Sequence, residues 1–305
     1  MASIKGQVFH VIDSNFNPGQ EKRNDKFDDN MDKAKIYSFS ERNNLRQTAM
    51  ELADYCKASY DVKQLKDISF SMVRRFMKEK SKTCSQTTLN NISSRLNKLE
   101  KLVNQTYKSA DVNWSYVQVK SLIGEEKLRD IPMDRNDFNK LISYAKDNNL
   151  TSKAVIGVEL AGSFGLRVSE VCKLQVRDID LKNMILHIHE SKGGLSRDLK
   201  INEEQKILIE KAISNKGFLD RIVPIKEDSV NKWIRETLPK VKGIDADKYI
   251  KAKTGIHSIR KMWATERYHE LMAKGLDDKE ASNVVSIELG HGENRWDVIK
   301  NYIYK

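Results

Sequence analysis

The chain has 305 residues, room for two domains of ordinary size, and its 39% hydrophobic and 32% charged residues are those of a globular protein with a charged surface. Its net charge of +11 points to a polyanionic partner, of which nucleic acid is the commonest. No apolar run is long enough for a signal peptide or a membrane span, and Cys56, Cys84 and Cys172 lie far apart without CxxC spacing, which excludes a recognisable zinc site and fits reduced thiols in a cytoplasmic protein.

Residues 1–37 are polar, with turn signals at Asn15-Phe-Asn-Pro-Gly and Asp28-Asp-Asn, and are expected to form a flexible N-terminal arm. Residues 38–123 read as a helical domain. Ser40 is placed to cap a helix in which Leu45, Ala49, Leu52 and Cys56 recur at steps of three and four. Phe70, Val73 and Met77 mark a second helix. Leu89, Ile92, Leu96, Leu99 and Val103 mark a third, whose opposite face carries Arg95, Lys98 and Lys101. With Lys78, Lys80, Lys82 and Lys108, these cations outnumber the two acids of the segment, so this domain is expected to dock on a DNA backbone.

Residues 124–132, charged and ending in Pro132, are expected to be a linker, and 133–305 a second domain. Asp134 is placed to cap a helix through Phe138, Leu141 and Ile142. The β-forming run Met184-Ile-Leu-His-Ile-His, the turn signal Lys192-Gly-Gly and the return Arg197-Asp-Leu-Lys-Ile predict an antiparallel hairpin. Helices are then predicted over 203–213, 229–238, 257–273, 278–289 and 296–304. The fold expected is mainly α with a small antiparallel β-hairpin or sheet.

Four short elements of this second domain carry chemistry. Arg167 and Glu170 are spaced for one helical face, Lys192 sits at the hairpin tip, and His257 and Arg260 share the first turn of a helix. Leu289-Gly-His then precedes a terminal helix containing Tyr302. Two arginines, a lysine and two histidines on one site suit a phosphate. No acidic cluster for magnesium lies in these motifs, so no metal and no cofactor is expected. Metal-free cleavage of a phosphodiester needs stabilisation of the phosphorane, a nucleophile and an acid for the leaving oxygen. Arg167, Arg260 and His291 suit the first task, a tyrosine the second and Lys192 the third, with His257 to take the tyrosine proton. Glu170 would support Arg167. Between the two terminal tyrosines, a helical reading puts Tyr302 at the edge of a docking stripe of Trp296, Ile299 and Ile303, with Tyr304 at the frayed end.

This ordered set resembles the tyrosine recombinases of the phage integrase family, the group that includes Cre and the Xer recombinases. The motifs cover 133–305, and residues 38–120 resemble the family's core-binding domain in length and helical character. The resemblance implies Arg167 and Arg260 as catalytic arginines and Lys192 as general acid. It likewise implies His257, His291 and Tyr302 as the remaining catalytic positions, with Tyr302 the nucleophile. It further implies a C-shaped clamp on duplex DNA, a homotetramer on paired sites, a 3′-phosphotyrosine intermediate and strand exchange through a Holliday junction. The interval from His291 to Tyr302 is two residues longer than usual in the family. Only Ile303, Tyr304 and Lys305 follow Tyr302, so the subunit contact that many relatives make with a longer tail is expected to come from elsewhere. A type IB topoisomerase and a catalytically inactive recombinase-derived DNA-binding protein are the alternatives, and a covalent protein–DNA adduct separates the enzymes from the binder.

Overall fold

Every α-helix described in the first part of the chain begins at a serine. In the computed structural model, which describes residues 2–19, 34–114, 116–124, 131–148, 152–189 and 196–304, the hydroxyls of Ser3, Ser38, Ser69 and Ser85 accept backbone N–H groups at the starts of four helices. These are α1 (Ile4–Ser14), α2 (Phe39–Tyr60), α3 (Phe70–Ser81) and α4 (Gln86–Thr106). The cap of α2 is therefore Ser38, two residues ahead of the expected Ser40. Leu45, Leu52, Val73, Met77 and the Leu89–Val103 stripe pack together around Trp114, whose indole N–H donates to the Ile68 carbonyl at 2.7 Å.

The expected N-terminal arm is corrected over part of its length. Ile4, Val8, Val11 and Ile12 lie on one face of α1 and are buried in the same core as α2 and α4. The Asp13 carboxylate pins α1 to α2, accepting from Arg42 at 2.7 Å and Arg46 at 2.9 Å. Helical spacing was present here but short, and it was hidden by the polar residues between. The Asp28 turn signal, and residues 125–130 of the expected linker, lie outside the described residues.

The chain divides into two units, Met1–Glu126 and Lys127–Lys305. The second starts with α5 (Arg135–Asp147), capped by Asp134 as expected, then α6 (Lys153–Phe164) and α7 (Val168–Lys173). A three-stranded antiparallel sheet follows in the order β1 (Ile179–Asp180), β2 (Ile185–Ile188), β3 (Arg197–Lys200). Its register sets Leu186 opposite Leu199 and Ile188 opposite Arg197. Then come α8 (Glu203–Ile213), α9 (Glu227–Thr237), α10 (Ala246–Lys251), α11 (Ile256–Ala273), α12 (Asp278–Glu288) and α13 (Trp296–Ile299).

α6 is the centre of this unit. Ala154, Val158, Leu160, Ala161 and Phe164 are buried around most of its circumference, so it shows no amphipathic stripe. It packs along α11, and both elements end at or begin near the candidate site. A smaller core joins the second half of α11 to α12, α13 and the tail through Ala264, Tyr268, Val285, Leu289, Ile299 and Ile303. The last helix is shorter than expected. It stops at Ile299, and the Tyr302 N–H donates to the Ile299 carbonyl at 2.8 Å in a tightened turn. Tertiary bonding accounts for the stop: the Thr265 hydroxyl donates to the Tyr302 carbonyl at 3.2 Å and accepts the Tyr304 N–H at 3.1 Å.

Candidate active site

Three helix ends and one strand meet at the site. The first is the start of α7. Arg167 is its N-cap residue and Glu170 its third position, so the pair stands in a capping relation rather than on a helix face. The Glu170 carboxylate accepts the Arg167 N–H at 2.8 Å and the Arg167 Nη1 at 2.8 Å. The turn before it needs Gly165: φ is +63°, and a Cβ there would stand 2.4 Å from the Trp263 ring.

The second is the start of α11, which carries His257 and Arg260. Arg260 is 1% exposed. Its Nη1 donates to the Gly165 carbonyl and its Nη2 to the Leu289 carbonyl at 2.5 Å, while its Nε has no partner among the described residues. Burial, and then the neighbouring Arg167 charge, push its pKa down, yet a guanidinium stays protonated across the working range. A fixed cation with an unspent donor faces the site.

The third is the end of α12. Gly290 adopts a left-handed φ of +69°; its N–H donates to the Ile287 carbonyl at 2.8 Å and the His291 N–H to Ser286 at 2.9 Å. This is a Schellman turn, and it aims His291 back into the site. The His291 Nε2 lies 3.4 Å from the Arg167 Nη2. Burial, then the Arg260 and Arg167 charges, hold the His291 pKa down at about 3, so the imidazole is neutral at neutral pH. An arginine can only donate, so this contact makes Nε2 the acceptor and leaves the ring proton on Nδ1.

β3 supplies a residue that the spacing arguments passed over. Arg197 is buried, and its Nη1 and Nη2 reach the two Glu170 oxygens at 3.0 and 2.9 Å. The signal for it was the strand alternation: Arg197 is in phase with buried Leu199 and Ile201, so it points inward. Burial alone would raise the Glu170 pKa. The hydrogen bonds and charge of Arg197, with the Arg260 charge, overcome this and hold it at about 2. Three guanidinium groups thus share one carboxylate, with Arg260 3.9 Å from its Oε2. The cluster keeps a surplus of two positive charges.

Tyr302 sits against this surplus. Its ring lies 5.3 Å from His257, 5.2 Å from His291 and 5.5 Å from the Arg260 guanidinium carbon, centre to centre. Tyr304 is held elsewhere: its hydroxyl accepts from the Lys261 ammonium at 2.9 Å. The structure therefore brings Arg167, Glu170, His257, Arg260, His291 and Tyr302 together. Lys192 lies outside the described residues, on the segment that joins β2 to β3.

Of the seven basic residues singled out in the first unit, Lys78, Lys80, Lys82, Arg95, Lys98 and Lys101 do not share one open face. Lys80 pairs with Glu51 at 2.8 Å, Lys82 with Glu79 at 2.7 Å and Lys98 with Glu41 at 2.5 Å. Arg95 reaches the Thr48 hydroxyl at 3.4 Å. Arg95 and Lys98 are half-buried against α2, because that helix crosses the face expected to be free. Lys78 and Lys101 are exposed.

The profile of the Phage integrase family matches residues 132–291, just over half of the chain. The chain belongs to the phage integrase family. The match includes Arg167, Glu170, Lys192, His257, Arg260 and His291 and stops short of Tyr302. The chain is similar to the tyrosine recombinase XerA of Saccharolobus solfataricus, 26% identical over 140 residues, which are 46% of this chain and 46% of that protein. It thus spans about half the length of that curated relative.

Solved members share the fold at low identity. A lambda integrase tetramer bound to a Holliday junction is 13% identical, with a TM-score of 0.61 over 88% of this chain and 73% of that one. The XerH site-specific recombinase bound to a palindromic difH substrate is 14% identical, with a TM-score of 0.61 over 87% and 76%. The Tn1549 transposon integrase in complex with transposon right-end DNA is 14% identical, with a TM-score of 0.59 over 98% and 95%. Among the described residues no helix is long and apolar enough to cross a membrane.

Proposed function

We propose that this chain is a site-specific recombinase that cuts and rejoins duplex DNA through Tyr302. The observation that carries the reading is the seating of the Tyr302 ring between His257, His291 and Arg260. A scissile phosphate in this pocket meets Arg167 and Arg260, whose surplus charge is matched to a pentacoordinate phosphorane more than to the ground-state diester. The Tyr302 Oη attacks phosphorus as its proton passes to His257. The bond from phosphorus to the 5′-oxygen breaks, and that oxygen takes a proton from Lys192. The product is a 3′-phosphotyrosine and a free 5′-hydroxyl. Attack by the 5′-hydroxyl of a partner strand reverses each transfer and releases Tyr302, so no outside energy source is needed.

The same reading gives residues 38–123 the role of a second DNA-binding unit, closing with 133–305 as a clamp on the duplex. It places four copies on paired sites, passing through a Holliday junction, in a protein that resides on cellular DNA. The lambda integrase and XerH complexes, solved on a Holliday junction and on a difH substrate, support this by fold alone.

The test uses a pool of nicked duplexes carrying random sequence, since a nick beside the cleavage point lets the 5′-hydroxyl diffuse away and traps the intermediate. Denaturing capture of covalent adducts selects the cleaved sequence, and peptide mapping identifies the attached residue. Tyr302→Phe is expected to abolish the adduct while duplex binding persists, and Tyr304→Phe to retain most of it. Attachment at Tyr304 would overturn the assignment. Binding with no adduct would make the chain a recombinase-derived DNA-binding protein. Relaxation of supercoils without strand exchange would make it a topoisomerase.

A further inference from the structure

The candidate nucleophile, acid and phosphate ligands leave one buried charge at the site without a task. Arg197 has a side chain only 6% exposed, and each of its three nitrogens is used. Two of them close a fork on Glu170. The third, Nε, donates at 2.6 Å to the carbonyl of Glu288, in the last turn of α12. A Cβ on Gly290 would come within 2.7 Å of Nη1, so the guanidinium also lies flush against the turn that launches His291. Three of its five N–H donors are committed to Glu170 and Glu288, and the guanidinium is buried against the turn after α12, so Arg197 acts through those groups.

The groups it acts through follow from the charges. Glu170 is a buried anion, and a buried carboxylate draws the nearest cations tightly. Arg197 satisfies both of its oxygens. Arg260 consequently stays at 3.9 Å, and Arg167 holds one oxygen through Nη1 while Nη2 is directed to His291. Without Arg197 the same carboxylate would have only Arg167 and Arg260 to close on, the two groups that the proposed chemistry needs on the phosphate.

We infer that Arg197 is a positioning residue that occupies Glu170, limits its hold on Arg167 and Arg260, and fixes the end of α12 from which His291 projects. The inference rests on the strand-transfer reading for its consequence in the reaction, but its electrostatic part concerns any phosphate-like ligand of the pocket. Orthovanadate, which adopts the trigonal-bipyramidal form of a phosphorane, is the probe for that part.

Three variants test it: Arg197→Lys, Arg197→Met and the double variant Glu170→Gln/Arg197→Met, all assayed below their melting temperatures. Arg197→Met is expected to bind orthovanadate about tenfold more weakly and to form the covalent adduct about a hundredfold more slowly at saturating duplex, with duplex Kd within about threefold of wild type. Arg197→Lys is expected to fall between, since an ammonium cannot reproduce the fork. The double variant removes the anion together with its partner and is expected to recover most of the vanadate affinity, whether or not the single variant folds. A residue that served only to stabilise the fold would change melting temperature and leave folded-state vanadate affinity at the wild-type value in the single variant. Wild-type vanadate affinity and adduct rate in Arg197→Met would overturn the inference, as would a double variant with no gain over a folded single variant. If the wild type forms no adduct at Tyr302 while the vanadate pattern holds, the strand-transfer reading falls and the role of Arg197 stands.

Discussion

Acid is the weak point of a site built from a carboxylate among guanidiniums and a histidine held neutral. The sign follows from the two pKa shifts. Glu170 is held at about 2, below an ordinary 4.5, so its contribution to stability is complete above pH 4.5 and is lost as pH falls towards 2. His291 is held at about 3, below an ordinary 6.5, so the unfolded chain takes up a proton first and the loss begins near pH 6.5. Unfolding free energy should therefore fall between pH 7 and 5, by at most about 1.4 kcal/mol per pH unit from one site. Urea melts of wild type and His291→Gln over that range check this: the variant's curve should be flatter above pH 4.5, and parallel curves would refute a neutral His291. At this scale the sequence was informative. Arg167, Glu170, His257, Arg260, His291 and Tyr302 were found by order and spacing, and all lie in one cluster. Arg197 was passed over because a lone arginine in a strand carries no motif, and its meaning lies in the inward phase it shares with Leu199 and Ile201.

Among the elements, the short α13 bears most directly on chemistry. Its Ile299 is 2% exposed and Ile303 8%, and these two side chains anchor the segment on α11 and α12 while Tyr302 between them faces the cations. Anchor and nucleophile are thus carried by one turn of chain, and loosening the anchor should misplace the phenol. Ile303→Ala is expected to slow adduct formation at saturating duplex by about tenfold or more, with duplex Kd within about threefold. An unchanged rate would show that the Thr265 bonds hold the segment unaided. The sequence placed this anchor correctly by reading a helix, although the helix ends three residues before Tyr302. Its failures elsewhere have a common cause. α6 is buried on nearly all sides and so shows no one-sided stripe, while the stripe of α1 is short and set among polar neighbours. α7 and α10 are six residues each, below the length at which periodicity can be read.

For the whole molecule, net charge set the first expectation, and the ion pairs refine which charges are available. A cation already paired with Glu41 or Glu51 releases few counterions when DNA arrives, whereas an unpaired one contributes close to one unit to the salt dependence. Lys101→Ala should therefore reduce the slope of log Kd against log salt by about one unit, measured by fluorescence anisotropy with a nonspecific duplex between about 50 and 200 mM salt. Lys98→Ala should leave that slope nearly unchanged and instead lower the melting temperature, since Glu41 and the ring of Tyr37 lose their cation. Equal slopes for the two variants would mean that Lys98 leaves Glu41 when DNA binds. The sequence shows a break in pattern over residues 124–132, and the chain divides into units ending at Glu126 and beginning at Lys127. The packing of α1 into the first unit was not legible there, because it depends on contacts between residues far apart in the chain.

The inward phase of Arg197 also limits how this gene can drift. Alternate strand positions face opposite sides, so a single inserted or deleted codon between Arg197 and Ile201 would exchange the inward and outward sets. The guanidinium would turn to solvent, and Glu170 would be left buried among fewer cations. Codons between His189 and Ser196 are under no such parity rule, because they lie outside the strand alternation, and the bonds described for Arg197 run to α7 and α12. Length variation in a pool of functional descendants should collect before Ser196 and be absent from the five positions that follow it.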